Sequence, residues 1–348
     1  MSKKVLIGMS GGVDSSVSAL LLKKAGYEVI GATMQLLDEN GENTVTDARN
    51  VCAQIGIEHQ LLNSQEEFNK KVIQNFIQEY SNARTPNPCI ECNKYLKFGM
   101  FYQKALELNC DYVATGHYAK VEYSEKYKQY VLKKSDSEKK DQTYFLYGIN
   151  KEILPKIIFP LETYQNKEEV RQIAKENGLE VAEKSDSQEV CFIPDNDYAN
   201  FVCKYAKQKK GNIVLRNGTI LGKHNGLINY TVGQRKGLGI AYKSPLYVLE
   251  LNTKTNEVIV GEEQELYSKE LQAKELNFLL DIQLNEPIKI KAKVRFRAKE
   301  AEAILYPAKA GIAKVEFTEP QRAITPGQSV VFYLDDIVLG GGKIIWKK

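Results

Sequence analysis

The 348-residue chain has no long apolar run and no secretory signal, so it is expected not to cross a membrane and to keep its six cysteines reduced, in the cytoplasm. In such a compartment cysteines serve chemistry or metal binding more often than disulfides. No second C-x-x-C accompanies Cys89 and Cys92, so a complete structural zinc site would need distant ligands. A large net charge is also missing. The formal total is +4, too small to name a partner, but its distribution is informative. From Cys203 to Lys243 there is no Asp or Glu, against nine basic residues: Lys204, Lys207, Lys209, Lys210, Arg216, Lys223, Arg235, Lys236 and Lys243. A one-sign segment in a balanced chain suits a polyanion, nucleic acid first, with a solvated basic face as the plain alternative. The length allows two or three domains with real cores.

What is present is organised around Ser10-Gly11-Gly12-Val13-Asp14-Ser15-Ser16. The apolar run Val5 to Met9 before it reads as a buried parallel strand, and Val17 to Ala25 after it reads as a helix. Strand, glycine turn and helix together aim free N–H groups and a helix dipole at one point, which suits a phosphate. Gly11 and Gly12 permit close backbone approach, the serines add hydroxyls, and Asp14 can anchor the loop or a magnesium ion. No Gly-Lys-Ser/Thr follows, which excludes the usual nucleotide loop. The pattern resembles the SGGxDS pyrophosphate loop of the ATP pyrophosphatases.

Residues 1 to about 115 alternate strand and helix in the manner of a doubly wound sheet. Strands are expected at 28–34, 56–62 and 111–115, with helices near 45–55, 66–80 and 95–108. Gly116-His117-Tyr118 then falls at the sheet edge that carries the glycine loop, where ligands bind in such folds. Two prolines present Cys89 and Cys92 ahead of a helix whose dipole is expected to lower a thiol pKa. The pair is compatible with half a zinc site, a redox pair or part of an iron–sulfur site. Cys52, Cys110 and Cys203 read as packing residues. A hairpin is expected at 121–132, and Asn166 with Glu169 has capping-box spacing for a helix closed by Gly178. Cys191, between a polar loop and an apolar dipeptide, suits a pocket mouth, although taken by itself it reads better as a buried inert cysteine.

Beyond Gly211 the texture is short strands with glycine and asparagine turns. The run 233–239 lacks Gly-Lys-Ser/Thr and a following helix, which excludes a second nucleotide loop. Lys289, Lys291, Lys293, Arg295, Arg297 and Lys299 alternate with apolar residues, and period two places all six cations on one strand face, suited to a phosphate backbone. Gly340 to Gly342 reads as a turn or bulge between barrel strands.

Eight ordered blocks together resemble the bacterial tRNA-specific 2-thiouridylase family: GMSGGVDSS (8–16), RTPNPCIECNKYLKF (84–98), ATGHYA (114–119), KKDQTYFLY (139–147), SDSQEVCFI (185–193), YTVGQRKGLGI (230–240), TPGQSVVFY (325–333) and LGGGKI (339–344). The resemblance implies an adenine-nucleotide α hydrolase-like domain at 1–200, a central basic, mainly β domain at 201–268 and a C-terminal, tRNA-contacting β-barrel at 269–348. It implies ATP with Mg2+ on Gly8, Met9, Ser10, Gly11, Gly12, Val13, Asp14, Ser15, Met34 and Gly116. Asn87, Pro88 and Cys89 match the stretch that meets the target base. His117, Lys140, Asp141, Gln142, Arg295, Phe296 and Gln328 match tRNA contacts. Cys92 matches the catalytic nucleophile and Cys191 the persulfide carrier, reloaded by a cysteine desulfurase or sulfur-relay protein. Some members carry aspartate where Cys89 stands here, which leaves a third thiol and an alternative: a [4Fe-4S] cluster on Cys89, Cys92 and Cys191. The implied reaction is ATP-dependent 2-thiolation of the wobble uridine in the tRNA anticodon stem-loop. A PP-loop ligase amidating a small molecule is the alternative from another class.

Overall fold

The computed structural model describes residues 2–37, 42–184, 190–193, 197–206 and 208–345. Most of the SDSQEV run, Lys207 and the last three residues lie outside that set. The described chain builds three sheets.

Strands β1 (Lys4–Gly8), β2 (Glu28–Gln35), β3 (Glu58–Asn63) and β4 (Tyr112–Ala114) form most of the first sheet. The hairpin β5 (Lys120–Ser124) and β6 (Gln129–Lys133) follows, and β7 (Ile157–Ile158) completes that sheet in the order β3-β2-β1-β4-β7. Every pairing in it is parallel. Such a sheet is covered on both faces, and β1 shows why its sequence is apolar throughout: Val5 and Ile7 face one core while Leu6 faces the other. Strand order reverses between β1 and β4, so the crevice for a ligand opens at their carboxyl ends. The doubly wound expectation therefore holds, with strand positions within a few residues of those read from sequence.

The helices differ more. The first starts at Val13, not Val17, which puts Asp14, Ser15 and Ser16 in its opening turns. The helix expected from Tyr95 begins at Pro88 and runs to Glu107, because Asn87 caps it by accepting the Cys89 N–H (3.2 Å) and proline suits the first position. Its middle, Cys92–Met100, is π-wound. Residues 65–81 also form one helix with a π stretch at Asn69–Ile73. The cap at Asn166 is as expected: its side chain accepts the Glu169 N–H (3.0 Å), and Gly178 ends the helix at φ 67°.

The central sheet, β8 (Gly211–Leu215), β9 (Ile220–His224), β10 (Tyr247–Asn252) and β11 (Glu257–Gly261), has the order β10-β11-β8-β9. The last six strands are β12 (Tyr267–Phe278), β13 (Ile288–Lys293), β14 (Ala301–Leu305), β15 (Ala313–Arg322), β16 (Ser329–Leu334) and β17 (Ile337–Ile345). They close into a barrel through the β12–β17 pairing, and β6 adds the early hairpin to its rim through Ile337 and Lys133.

Two expectations need correction. The six-cation strand is half as long as its alternation suggested: β13 ends at Lys293 and the chain turns, so Lys289, Lys291 and Lys293 share a strand and Arg295 bends inward. Cys203, read as a packing residue, is exposed, because it ends a short helix (Tyr198–Cys203) that buries Val202 instead; Cys52 and Cys110 are buried as expected. Gly340–Gly342 stands mid-strand at a register shift where β17 meets β12 and β16. There a Cβ on Gly341 would lie 2.6 Å from the Val330 carbonyl and 2.7 Å from the Tyr147 ring. Gly341→Ala is therefore expected to destabilise the protein by about 1–3 kcal/mol in urea denaturation; an unchanged midpoint would contradict the close packing.

Candidate active site

The cavity that matters opens where the fold requires, at the ends of β1 and β4, with a volume of about 410 Å3. Its floor is the glycine loop, contributing Gly8, Met9, Ser10, Asp14 and Ser15. Gly11 adopts φ 64°, and a Cβ there would meet the Thr44 carbonyl at 2.8 Å. The loop holds its own shape: Ser15 Oγ accepts the Ser10 N–H (3.2 Å) and donates to the Gly12 carbonyl (3.0 Å), and Ser16 Oγ donates to the same carbonyl (2.9 Å). Asp14 is an anchor. Its carboxylate accepts the Tyr118 hydroxyl (3.1 Å) and pairs with Lys167 (3.0 Å). Lys184 ties the Gly11 carbonyl to Asp47 of the neighbouring helix.

The turn after β4 forms the adjoining wall. Gly116 packs so tightly on the loop that a Cβ would lie 2.9 Å from both the Asp14 carbonyl carbon and the Ser15 nitrogen. His117 is buried between Phe98 and Phe159, hydrogen-bonded to Thr115 Oγ1 (2.7 Å). Burial, aided by the charge of Lys97, holds its imidazole well below the ordinary range. Met34 closes another side, and Gln142, held by the Tyr118 N–H (3.0 Å), a further one.

Cys191 reaches the same cavity. Cys92 is buried, whereas Cys89 and Cys191 keep accessible surface. Cys191 lies within electrostatic range of both other thiols, so a thiolate at either would push its pKa up further. The dipole expectation fails here: burial raises all three thiols above the ordinary value, and Lys97 opposes the rise only in part. Among the described residues no three His, Cys, Asp or Glu groups converge closely enough to hold a metal ion.

The residues matched to tRNA contact gather beside this cavity, where the barrel meets the 84–88 loop. Gln328 Nε2 donates to the Thr85 and Pro86 carbonyls (2.8 and 3.2 Å), and the Thr85 N–H donates to the Pro326 carbonyl (2.9 Å). Arg295 donates to the Val232 and Ala323 carbonyls (both 3.1 Å) and to Thr325. Its Nε is buried without a partner, and burial lowers its pKa. Phe296 packs on Phe145 with ring centroids 4.3 Å apart. Asp141 is buried, accepting from Ser135 N–H (3.3 Å) and Thr143 Oγ1 (2.7 Å), while Lys140 beside it is half-buried. Gln328, Arg295 and Asp141 thus have protein partners in this structure.

Sequence reasoning missed Lys97, Lys167 and Lys184, and it placed Tyr118 at the sheet edge without its role as an anchor of Asp14. Lys184, Lys167 and Tyr118 act through partners 104 to 153 positions away, as Lys184–Asp47, Lys167–Asp14 and Tyr118–Asp14 show, and no local pattern marks these pairings.

A glycine phosphate loop at the switch point of a parallel sheet, followed by a small β domain and a closed barrel, defines a multidomain α/β phosphate-loop protein. Three family descriptions match it in order: the tRNA methyl transferase HUP domain at residues 3–195, the tRNA methyl transferase PRC-barrel domain at 199–262 and the aminomethyltransferase beta-barrel domain at 268–344. Full-length relatives are more specific. The tRNA-specific 2-thiouridylase MnmA of Acetivibrio thermocellus is 51% identical, over 98% of this chain and 99% of that one. The protein of the same name from Clostridioides difficile is 50% identical, over 99% and 98%. Among solved structures, NH3-dependent NAD synthetase from Campylobacter jejuni aligns with TM-score 0.32 and 20% identity, covering 54% of this chain and 70% of that one. The chain belongs to the tRNA-specific 2-thiouridylase family of enzymes.

The depressed His117 pKa has a measurable sign. The unfolded state binds the proton first as pH falls, so the stability due to neutral His117 is present above the ordinary value of 6.5 and is lost as pH drops from there toward the folded value. The His117 ring signal is expected to stay flat in an NMR titration through pH 6.5, and His117→Gln to weaken the acid-side decline in stability. A ring that titrates at the ordinary value would contradict the burial described.

Proposed function

We propose that this chain is a cytoplasmic enzyme that catalyses ATP-dependent 2-thiolation of the wobble uridine of tRNA. Family membership supports the reaction class. The observation that carries the mechanism is that Cys191 lines the same cavity as the glycine loop, with Cys92 within its electrostatic reach. The division into residues 1–200, 201–268 and 269–348 belongs to the same reading.

The uracil C2 oxygen is a poor leaving group, so it must first be activated. ATP, with Mg2+, would sit with its phosphates on residues 8–15 and its adenosine toward Met34 and Gly116. The C2 oxygen attacks the α-phosphorus and pyrophosphate departs, its growing charge met by the loop N–H groups and the helix dipole. The outer sulfur of a Cys191 persulfide then adds to C2. Cys92 attacks the Cys191 sulfur, which forms a Cys92–Cys191 disulfide and returns the S–S electron pair to the ring-bound sulfur; C2=S forms and AMP leaves. A reductant reopens the disulfide, and a cysteine desulfurase or sulfur-relay protein reloads Cys191. The burial that raises the Cys92 thiol keeps it protonated until a partner or substrate takes the proton.

Asn87, Pro88 and Cys89 would meet the flipped-out base. His117, Lys140, Asp141, Gln142, Arg295, Phe296 and Gln328 would bear on the tRNA around it. Arg295, with an orphaned Nε, and the 84–88 loop held by Gln328 sit where a phosphate backbone would cross from barrel to cavity.

Cys191→Ser and Cys92→Ser are each expected to abolish 2-thiouridine in tRNA nucleosides measured by mass spectrometry with a persulfide donor. Normal thiolation by Cys191→Ser would defeat this mechanism. AMP formation driven by a small metabolite and indifferent to tRNA would favour the ligase alternative instead.

A further inference from the structure

Lys97 is the one cation lining the cavity among the described residues, and the roles assigned above make no use of it. It stands five positions after Cys92. An α-helix advances about 100° per residue, which would leave position 97 about 140° round from Cys92. Because Cys92–Met100 is π-wound, with i→i+5 spacing, Lys97 returns to the side of Cys92 and joins Ser10, Gly116, His117 and Cys191 around the cavity. Long π stretches are rare and concentrate at functional sites. Lys97 lines the cavity together with His117 and Cys191, and its charge bears on Cys89, Cys92, Cys191 and His117, groups on three separate chain segments.

No carboxylate among the described residues pairs with Lys97. Asp14, the acid lining the same cavity, pairs with Lys167. The surrounding thiols are held protonated by burial and His117 is held neutral, so none of them supplies a counter-charge. A half-buried ammonium facing neutral groups is unfavourable unless an anion enters. The glycine loop has the complementary deficit, since it lacks the lysine that a usual nucleotide loop carries. The β- and γ-phosphates belong at that loop and the helix start behind it, whereas Lys97 faces inward from the thiol wall.

We infer that Lys97 binds the phosphoryl group that remains attached to adenosine, the adenylyl phosphate, supplying from a π-wound helix the cation that the glycine loop lacks. The inference rests on the ATP reading above. Calorimetric titration of the full-length protein with ATP, AMP and adenosine tests it. Lys97→Met is expected to weaken ATP and AMP about tenfold or more and to leave adenosine unchanged, with Lys97→Arg retaining most of the affinity. Undiminished ATP and AMP binding by Lys97→Met overturns this inference alone, and an equal loss for adenosine overturns it too, because the pocket rather than the charge would then have changed. Wild-type protein that binds no ATP overturns both this inference and the reading beneath it.

Discussion

Everything in the site depends on one backbone-to-backbone contact, that of Gly116 against the peptide joining Asp14 to Ser15. A side chain at position 116 would occupy space 2.9 Å from that peptide. The contact brings the loop after β1 and the turn after β4 into one crevice, and a crevice at a reversal of strand order is where a parallel sheet exposes its free N–H groups. Tyr118, two residues on, reaches back to Asp14 and Lys167 reaches it from a later helix. The loop is thus preorganised by the protein and does not wait for a ligand to shape it.

The second constraint is mechanical continuity between barrel and catalytic helix. Gln328 and Pro326 hold the Thr85–Pro86 backbone, Asn87 caps the helix that follows, and that helix carries Cys89 and Cys92 in its first turns. A partly buried charge cluster stands behind it: Lys343 on β17 lies 3.7 Å from Glu91 and 3.1 Å from the exposed Glu275, and Arg84 is paired with the buried Glu79 at 2.6 Å. The largely buried pairs, Lys343–Glu91 and Arg84–Glu79, contribute little net stability, because desolvation offsets attraction, but they penalise misplacement strongly. Their effect here is to seat the thiol-bearing turn relative to the barrel.

How far the site could be read from sequence varied with the range of the interaction. The glycine loop, the Asn166 cap and the alternation within β13 are local and were legible as written. The thiol chemistry was legible in residue type but not in electrostatics: a helix start suggested depressed thiol pKa values, and burial, which depends on distant chain, prevails. The apparent alternation from Lys289 to Lys299 misled because a strand's period says nothing about where a turn interrupts it.

The sequence alone determined what adjacent residues decide between themselves: the strand–glycine–helix unit, the capped helix ends, the βα alternation and the short-strand texture of the last third. Tertiary structure alone decided that the barrel closes through β12 and β17, that Asp141 turns inward, and that Lys97 joins the side of Cys92. The physical reason is that burial and strand closure are set by residues far apart in the chain, and π-winding by the packing around the helix, so neither leaves a trace in spacing.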